Sequence, residues 1–214
     1  MLFIINKRFA FIFIFLIAFC SEVIANEKVK VDGDTLYYST FQAKQAINRE
    51  INWDDTEVFE DILKDNPNIT LVQIDSSGGL VEAAIYLADI IIDYELNTHI
   101  DGECASSCVL IFLGGEKRSL ARGSWIGFHK TAWASEDLKD YYMDWKEDEE
   151  WTSEFDFAEW LYEDTQKSVL RDLEYLIERG VEPGFAIKTL RADSDDMWYP
   201  RRKEMEAAGI ITED

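Results

Sequence analysis

Positive charge is scarce in this chain. Lys and Arg number 21 against 43 Asp and Glu, a net charge of −22 over 214 residues. So acidic a surface is repelled by phosphate backbones and by anionic lipid, which excludes nucleic acid as a partner and docking on a membrane surface. Long hydrophobic runs are missing too. The one candidate, Phe9 to Cys20, falls short of the ~20 residues of a bilayer span. It follows Lys7-Arg8 and leads to Val23-Ile24-Ala25, with small residues at the −3 and −1 positions of a cut after Ala25. The start of the chain therefore reads as a secretory signal peptide over residues 1–25, in preference to an N-terminal membrane anchor. Phe19 stands where a lipoprotein signal wants a small residue before Cys20. Residues 26–214 then form one domain with a substantial core, placed in the periplasm or outside the cell.

Cysteine and histidine are rare as well, and each scarcity narrows the chemistry. Beyond Cys20 only Cys104 and Cys108 remain. In an oxidising compartment so close a pair is a disulfide candidate, the alternative being two small buried residues. The histidines are His99 and His129, so an imidazole base has to be one of these. Internal repeats and low-complexity linkers are lacking.

What is present alternates between strand and helix patterns. Val29 to Tyr38 predicts a hairpin turning at Asp32-Gly33. Thr56 to Lys64 predicts a short helix, capped by Asp55 or Thr56 and stopped by Asp65-Asn66-Pro67. Thr70 to Asp75 is an apolar run suited to a buried strand, and it ends in Ser76-Ser77-Gly78-Gly79. From Leu80 to Tyr94 apolar residues recur with a helical period. Thr98 to Ile100 predicts a strand, Gly102 a tight turn, Ala105 to Leu113 a buried helix, and Trp125 to Phe128 another strand with His129 at its end. Residues 135–163 are acidic and aromatic, and read as a solvated helix with an aromatic packing stripe, the sharper reading being a substrate-gating arm. A long helix from Phe157 ends near Gly180, and two shorter ones follow around Pro183–Leu190 and Arg201–Ala208. This alternation predicts an α/β fold with ligands at strand carboxyl ends.

Two features carry chemistry: a Gly-Gly turn between strand and helix, and Gly102-Glu-Cys104-Ala-Ser106-Ser107-Cys108 at the start of a buried helix. A serine at a helix start has amides beside it that can hold an oxyanion, but it needs a base. Ile74-Asp75-Ser76-Ser77-Gly78-Gly79 resembles the strand-end Ser-Pro-Gly-Gly of the Clp protease proteolytic subunit. Gly102-Glu-Cys-Ala-Ser106-Ser107 resembles its Gly-x-Ala-Ala-Ser-Met, and Gly115-x-x-Arg118 followed by Phe128-His129 resembles its Gly-x-x-Arg and Met-Ile-His. The match spans about residues 70–130.

The resemblance implies a Clp protease/crotonase-like α/β fold of repeated β-β-α units with C-terminal helices. It implies Ser106 as nucleophile, His129 as general base, the Gly79 and Ser107 backbone amides as oxyanion hole, and an aspartate before the last helix as orienting acid. Asp195 and Asp196 lie in that region, and Asp195 is preferred. The expected activity is a serine endopeptidase acting on peptides or unfolded segments, with no metal or cofactor, and assembling as a homo-oligomer. Export leaves no ATP-driven unfoldase as partner. A catalytically inactive peptide-binding relative and a crotonase-type acyl-thioester enzyme are the rivals. Ser77 in place of proline, the flanking cysteines and Lys130 depart from the family pattern. Lys130 is the alternative base, although neighbouring strand residues face opposite ways.

Overall fold

The computed structural model describes residues 27–213, so the leader lies outside the described residues. Strands β1 (Val29–Asp32) and β2 (Thr35–Ser39) form the expected hairpin. Helix α1 (Trp53–Asp65) starts earlier than its apolar period suggests. Asn52 is the residue preceding it, and Asp55, at the third helical position, turns its carboxylate back to accept the Asn52 N–H at 3.0 Å. Asp55 is fully buried and also takes the Lys28 ammonium at 2.9 Å and the Tyr38 hydroxyl at 2.8 Å. Burial, and next the Asp55 charge, push the Tyr38 phenol well above its ordinary pKa. The expected cap is thus a buried charge that ties the hairpin to α1.

Strand β3 (Leu71–Ser76) alternates half-buried and buried residues, Val72, Ile74 and Ser76 facing the core. It leads through the Gly-Gly turn into α2 (Val81–Asp93). Strand β4 (Asn97–Ala105) runs past Gly102, where the sequence predicted a turn. The register explains this: Ile74 pairs with Ile100 but Ser76 with Cys104, so β4 bulges between them. The Asp75 carboxylate holds the bulge by accepting the Glu103 N–H at 2.9 Å. Strand β4 is therefore long enough to have two further partners. Its first half pairs with β5 (Arg118–Leu120) and its second half with β6 (Trp125–Gly127), both parallel.

The sheet order is β1-β2-β3-β4-β5 with β6 beside β4, and only the β1–β2 pair is antiparallel. Helix α3 (Cys108–Leu113), buried at every position, fills the space next to α2 and β4. Leu36, Phe59, Ile74, Leu87, Ile91, Ile100, Ile111 and Phe112 are among the fully buried side chains of the core. Burial of each large side chain contributes roughly 1.5–3 kcal/mol.

Helix α4 (Ser135–Trp145) buries no residue completely. Its Tyr141 packs instead on Trp133, Trp151, Phe157 and Trp160, with ring centroids 5.5 to 6.3 Å away. The acidic segment is not the single solvated helix that its composition suggested: it breaks between Trp145 and Glu154, and the aromatic stripe packs α4 against the helix that follows. Helix α5 (Glu154–Glu178), capped by Ser153, is followed by α6 (Pro183–Thr189) and α7 (Arg202–Ala207). Among the described residues no helix is long and apolar enough to cross a membrane.

Candidate active site

The Gly-Gly turn is held from below by Ser76, whose buried hydroxyl accepts the Gly78 N–H at 3.2 Å and the Thr40 hydroxyl at 3.1 Å. On its outer edge Ile51 donates to the Gly78 carbonyl and accepts from Leu80, each at 2.9 Å. That pairing sets where Gly79 points. Its neighbours' polar groups face Ile51, so its own N–H and C=O face away, towards the segment that carries Ser106 and Ser107. Only glycine fits here. A Cβ on Gly79 would lie 2.2 Å from the Ile51 nitrogen, and one on Gly78 would lie 2.8 Å from the Ser106 Cβ.

Ser106 sits between β4 and α3. Ala105 still pairs with Gly127, and the Ser106 N–H donates to the Gly127 carbonyl at 3.0 Å. Its φ of 56° is left-handed, which a β-carbon disfavours by an energy of order 1–3 kcal/mol. This conformation stops α3 from starting at Ala105, as the sequence suggested, and turns the hydroxyl outward from the core. Cys104 and Cys108 bracket the turn and are joined as a disulfide, with Cα atoms 5.3 Å apart. So short a bridged loop constrains the unfolded chain modestly. Replacing both cysteines by alanine is expected to lower unfolding free energy by about 2 kcal/mol in urea titrations. A variant as stable as the parent would show the bridge to be inert.

Strand β6 delivers His129 beside this turn. Its Nε2 lies 2.7 Å from the Ser106 Oγ, so the sheet brings together the serine and histidine that the sequence singled out. The other ring nitrogen, Nδ1, is buried and has no hydrogen-bond partner among the described residues. The orienting aspartate expected there is not in place. The loop before α7 does run alongside: Phe128 and Trp198 exchange backbone bonds at 2.9 Å, and the Lys130 N–H reaches the Ala192 carbonyl at 3.1 Å. Its carboxylates, however, face elsewhere. Asp193 pairs with the Lys130 ammonium at 2.5 Å, Asp196 accepts the Met197 N–H at 2.8 Å, and Asp195 is exposed. The Lys130 ammonium is engaged in that ion pair, and the Ser106 hydroxyl has His129 as its partner. His99 is a structural residue whose Nδ1 meets the Ser119 hydroxyl at 2.8 Å.

The two expected oxyanion donors differ in state. The Ser107 N–H donates to no group among the described residues. The Gly79 N–H, in contrast, is taken by the Ser107 hydroxyl at 2.9 Å, and the same hydroxyl donates to the Gly79 carbonyl at 3.0 Å. A serine following the nucleophile candidate was visible in the sequence, but its side-chain partner was not.

Arg118 anchors the far end of α3, the helix that follows Ser106 and Ser107. Its buried guanidinium donates to the carbonyls of Gly115, Arg179, Gly209 and Ile210 at 2.7 to 3.3 Å, and lies 3.5 Å from that of Leu113. Burial, and next the Arg179 charge, lower its pKa. Together with Arg179 it caps the carboxyl end of α3 and fastens the C-terminal segment to it. The Gly115-x-x-Arg118 pattern thus has a structural task.

No protein-family model and no curated protein matches the chain. Among solved structures, a point mutant of ClpP1 from Listeria monocytogenes is similar, with a TM-score of 0.55 and 20% sequence identity, covering 76% of this chain and 85% of that one. The fold is ClpP-like. At this identity the likeness speaks for the fold, and residue roles rest on the geometry.

Proposed function

We propose that this chain is an exported serine peptidase that cleaves peptide bonds through an acyl-enzyme on Ser106. The observation carrying this reading is the 2.7 Å contact between the Ser106 Oγ and the His129 Nε2, made at a strained turn beside glycine amides. His129 accepts the Ser106 proton as the oxygen attacks a peptide carbonyl. The Ser107 amide stabilises the oxyanion, together with the Gly79 amide once that is free. The imidazolium then protonates the leaving amine, and water hydrolyses the ester with His129 again as base. Substrates of this reading are peptides, unfolded segments or loops, acted on without an ATPase.

Export is supported by the leader pattern and by a disulfide of the kind that persists in oxidising compartments. The test of activity is a fluorophosphonate probe on purified protein, with the adduct located by mass spectrometry. Phosphonylation of Ser106 is expected, and an unlabelled or differently labelled chain would overturn the reading. The unpaired Nδ1 of His129 favours a second reading, a peptide-binding member of the same fold that does not turn over. Peptide binding without probe labelling would select it.

Homo-oligomer assembly belongs to the same proposal. Val169, Leu170 and Ile177 of α5 and Ile187 of α6 are exposed apolar side chains on the last helices. Light scattering at micromolar concentration should give a multiple of the monomer mass, favoured by salt that screens the net charge of −22. A monomer at every salt concentration would remove this part.

A further inference from the structure

The Gly79 amide faces a hydroxyl that can compete with a substrate for it. Gly79 has a positive φ of 153°, and the Gly78 carbonyl and Leu80 N–H on either side of it are both spent on Ile51. Its own N–H and C=O therefore project together towards Ser107. The Ser107 side chain, 4% exposed, satisfies both, accepting from the nitrogen at 2.9 Å and donating to the oxygen at 3.0 Å. A hydroxyl so placed does for Gly79 what a neighbouring strand would do: it leaves neither of its partly buried backbone groups unpaired.

We propose that Ser107 gates the oxyanion site, holding the Gly79 N–H in the resting protein and releasing it only when a substrate oxygen takes its place. The inference rests on the peptidase reading above and adds to it the regulation of that same site. On attack, charge develops on the carbonyl oxygen as the Ser106 Oγ–C bond forms and the Ser106 proton passes to His129. An anionic oxygen is a stronger acceptor than a neutral hydroxyl, so the Gly79 N–H exchanges one partner for the other. Ser107 keeps its donor bond to the Gly79 carbonyl throughout and loses only the accepted one. Because the competing bond is broken for the transition state and remade afterwards, its effect falls on kcat and leaves KM unchanged. Ser107 acts on the reaction through Gly79 and is a positioning residue.

The test compares the Ser107→Ala protein with the parent in fluorophosphonate labelling rate and in kcat and KM for a peptide ester. Removing one competing neutral hydrogen bond is expected to raise the labelling rate and kcat by roughly 2- to 10-fold at constant KM. A rate equal to or below that of the parent, with an unchanged melting temperature, overturns the gate. Ser106→Ala is the separating control: labelling that survives it defeats the peptidase reading, whereas labelling that it abolishes, with no gain from Ser107→Ala, defeats the gate alone. Should Ser107→Ala fail to fold, or should no labelling occur, the Gly79 amide is read by NMR in the unlabelled full chain. Slow hydrogen exchange at Gly79 supports the bond to Ser107, and exchange as fast as that of an open amide overturns it.

Discussion

Alanine at His129 is expected to lower peptide hydrolysis by about 10²- to 10⁴-fold, and alanine at Ser106 to abolish both hydrolysis and probe labelling. The two losses differ in kind. Without Ser106 there is no oxygen to acylate, whereas without His129 the serine remains but must shed its proton to water. The folded state should survive both changes, because Ser106 and His129 are each only partly buried and their mutual contact at 2.7 Å is the interaction lost. Alanine at Lys130 removes an exposed pair with Asp193 and should keep most of the turnover. Single-turnover labelling with circular dichroism on each variant decides the matter. A Lys130 variant as inactive as the Ser106 one, beside an active His129 variant, would place the base on the lysine and overturn the Ser-His assignment.

Methionine at Arg118 is expected to destabilise the protein by more than ~4 kcal/mol, the largest structural effect among the substitutions considered. Methionine fills the volume, yet it offers no donor to carbonyls that now share one guanidinium. Each buried acceptor left unpaired costs about 1–3 kcal/mol. Lysine at the same position should rescue little, since a compact ammonium cannot span the carbonyls that a planar fork reaches. The loss should concentrate at the chain end, because the guanidinium holds the carbonyls of Gly209 and Ile210 there. Urea unfolding gives the magnitude, and hydrogen exchange over residues 209–213 gives the location. An unfolding free energy within about 1 kcal/mol of the parent, with the C-terminal amides still protected, would show that the guanidinium is dispensable.

Much of the local architecture follows from patterns that need no partner. The alternation at Val29 to Tyr38 and the helical periods of Leu80–Tyr94 and Phe157–Ile177 give the elements observed, because hydrophobic period and turn residues act within a few residues. Strand β5 carries no such pattern, because one of its two buried residues is Arg118, a charged residue whose partners lie far along the chain. The extension of β4 through Gly102 escaped it too, because the Asp75 carboxylate that holds the bulge comes from another strand.

The candidate site divides the same way. Ser106, His129 and the Gly-Gly turn were legible as a set of residue types suited to acyl transfer, and the sequence by itself determined that any imidazole base must come from two histidines. Whether those groups meet was a matter for the sheet: β6 lies beside β4 and sets His129 at hydrogen-bond distance from Ser106. Tertiary structure likewise left the His129 Nδ1 without a carboxylate, by pinning the neighbouring loop at Ala192 and Trp198 while Lys130 draws Asp193 outward. It also set the Ser107 hydroxyl on the Gly79 amide. Residue type and spacing are local properties that a chain carries unfolded, whereas a hydrogen bond needs two groups within about 3 Å at a workable angle. Groups far apart in sequence reach that distance only through the packing of the elements that carry them.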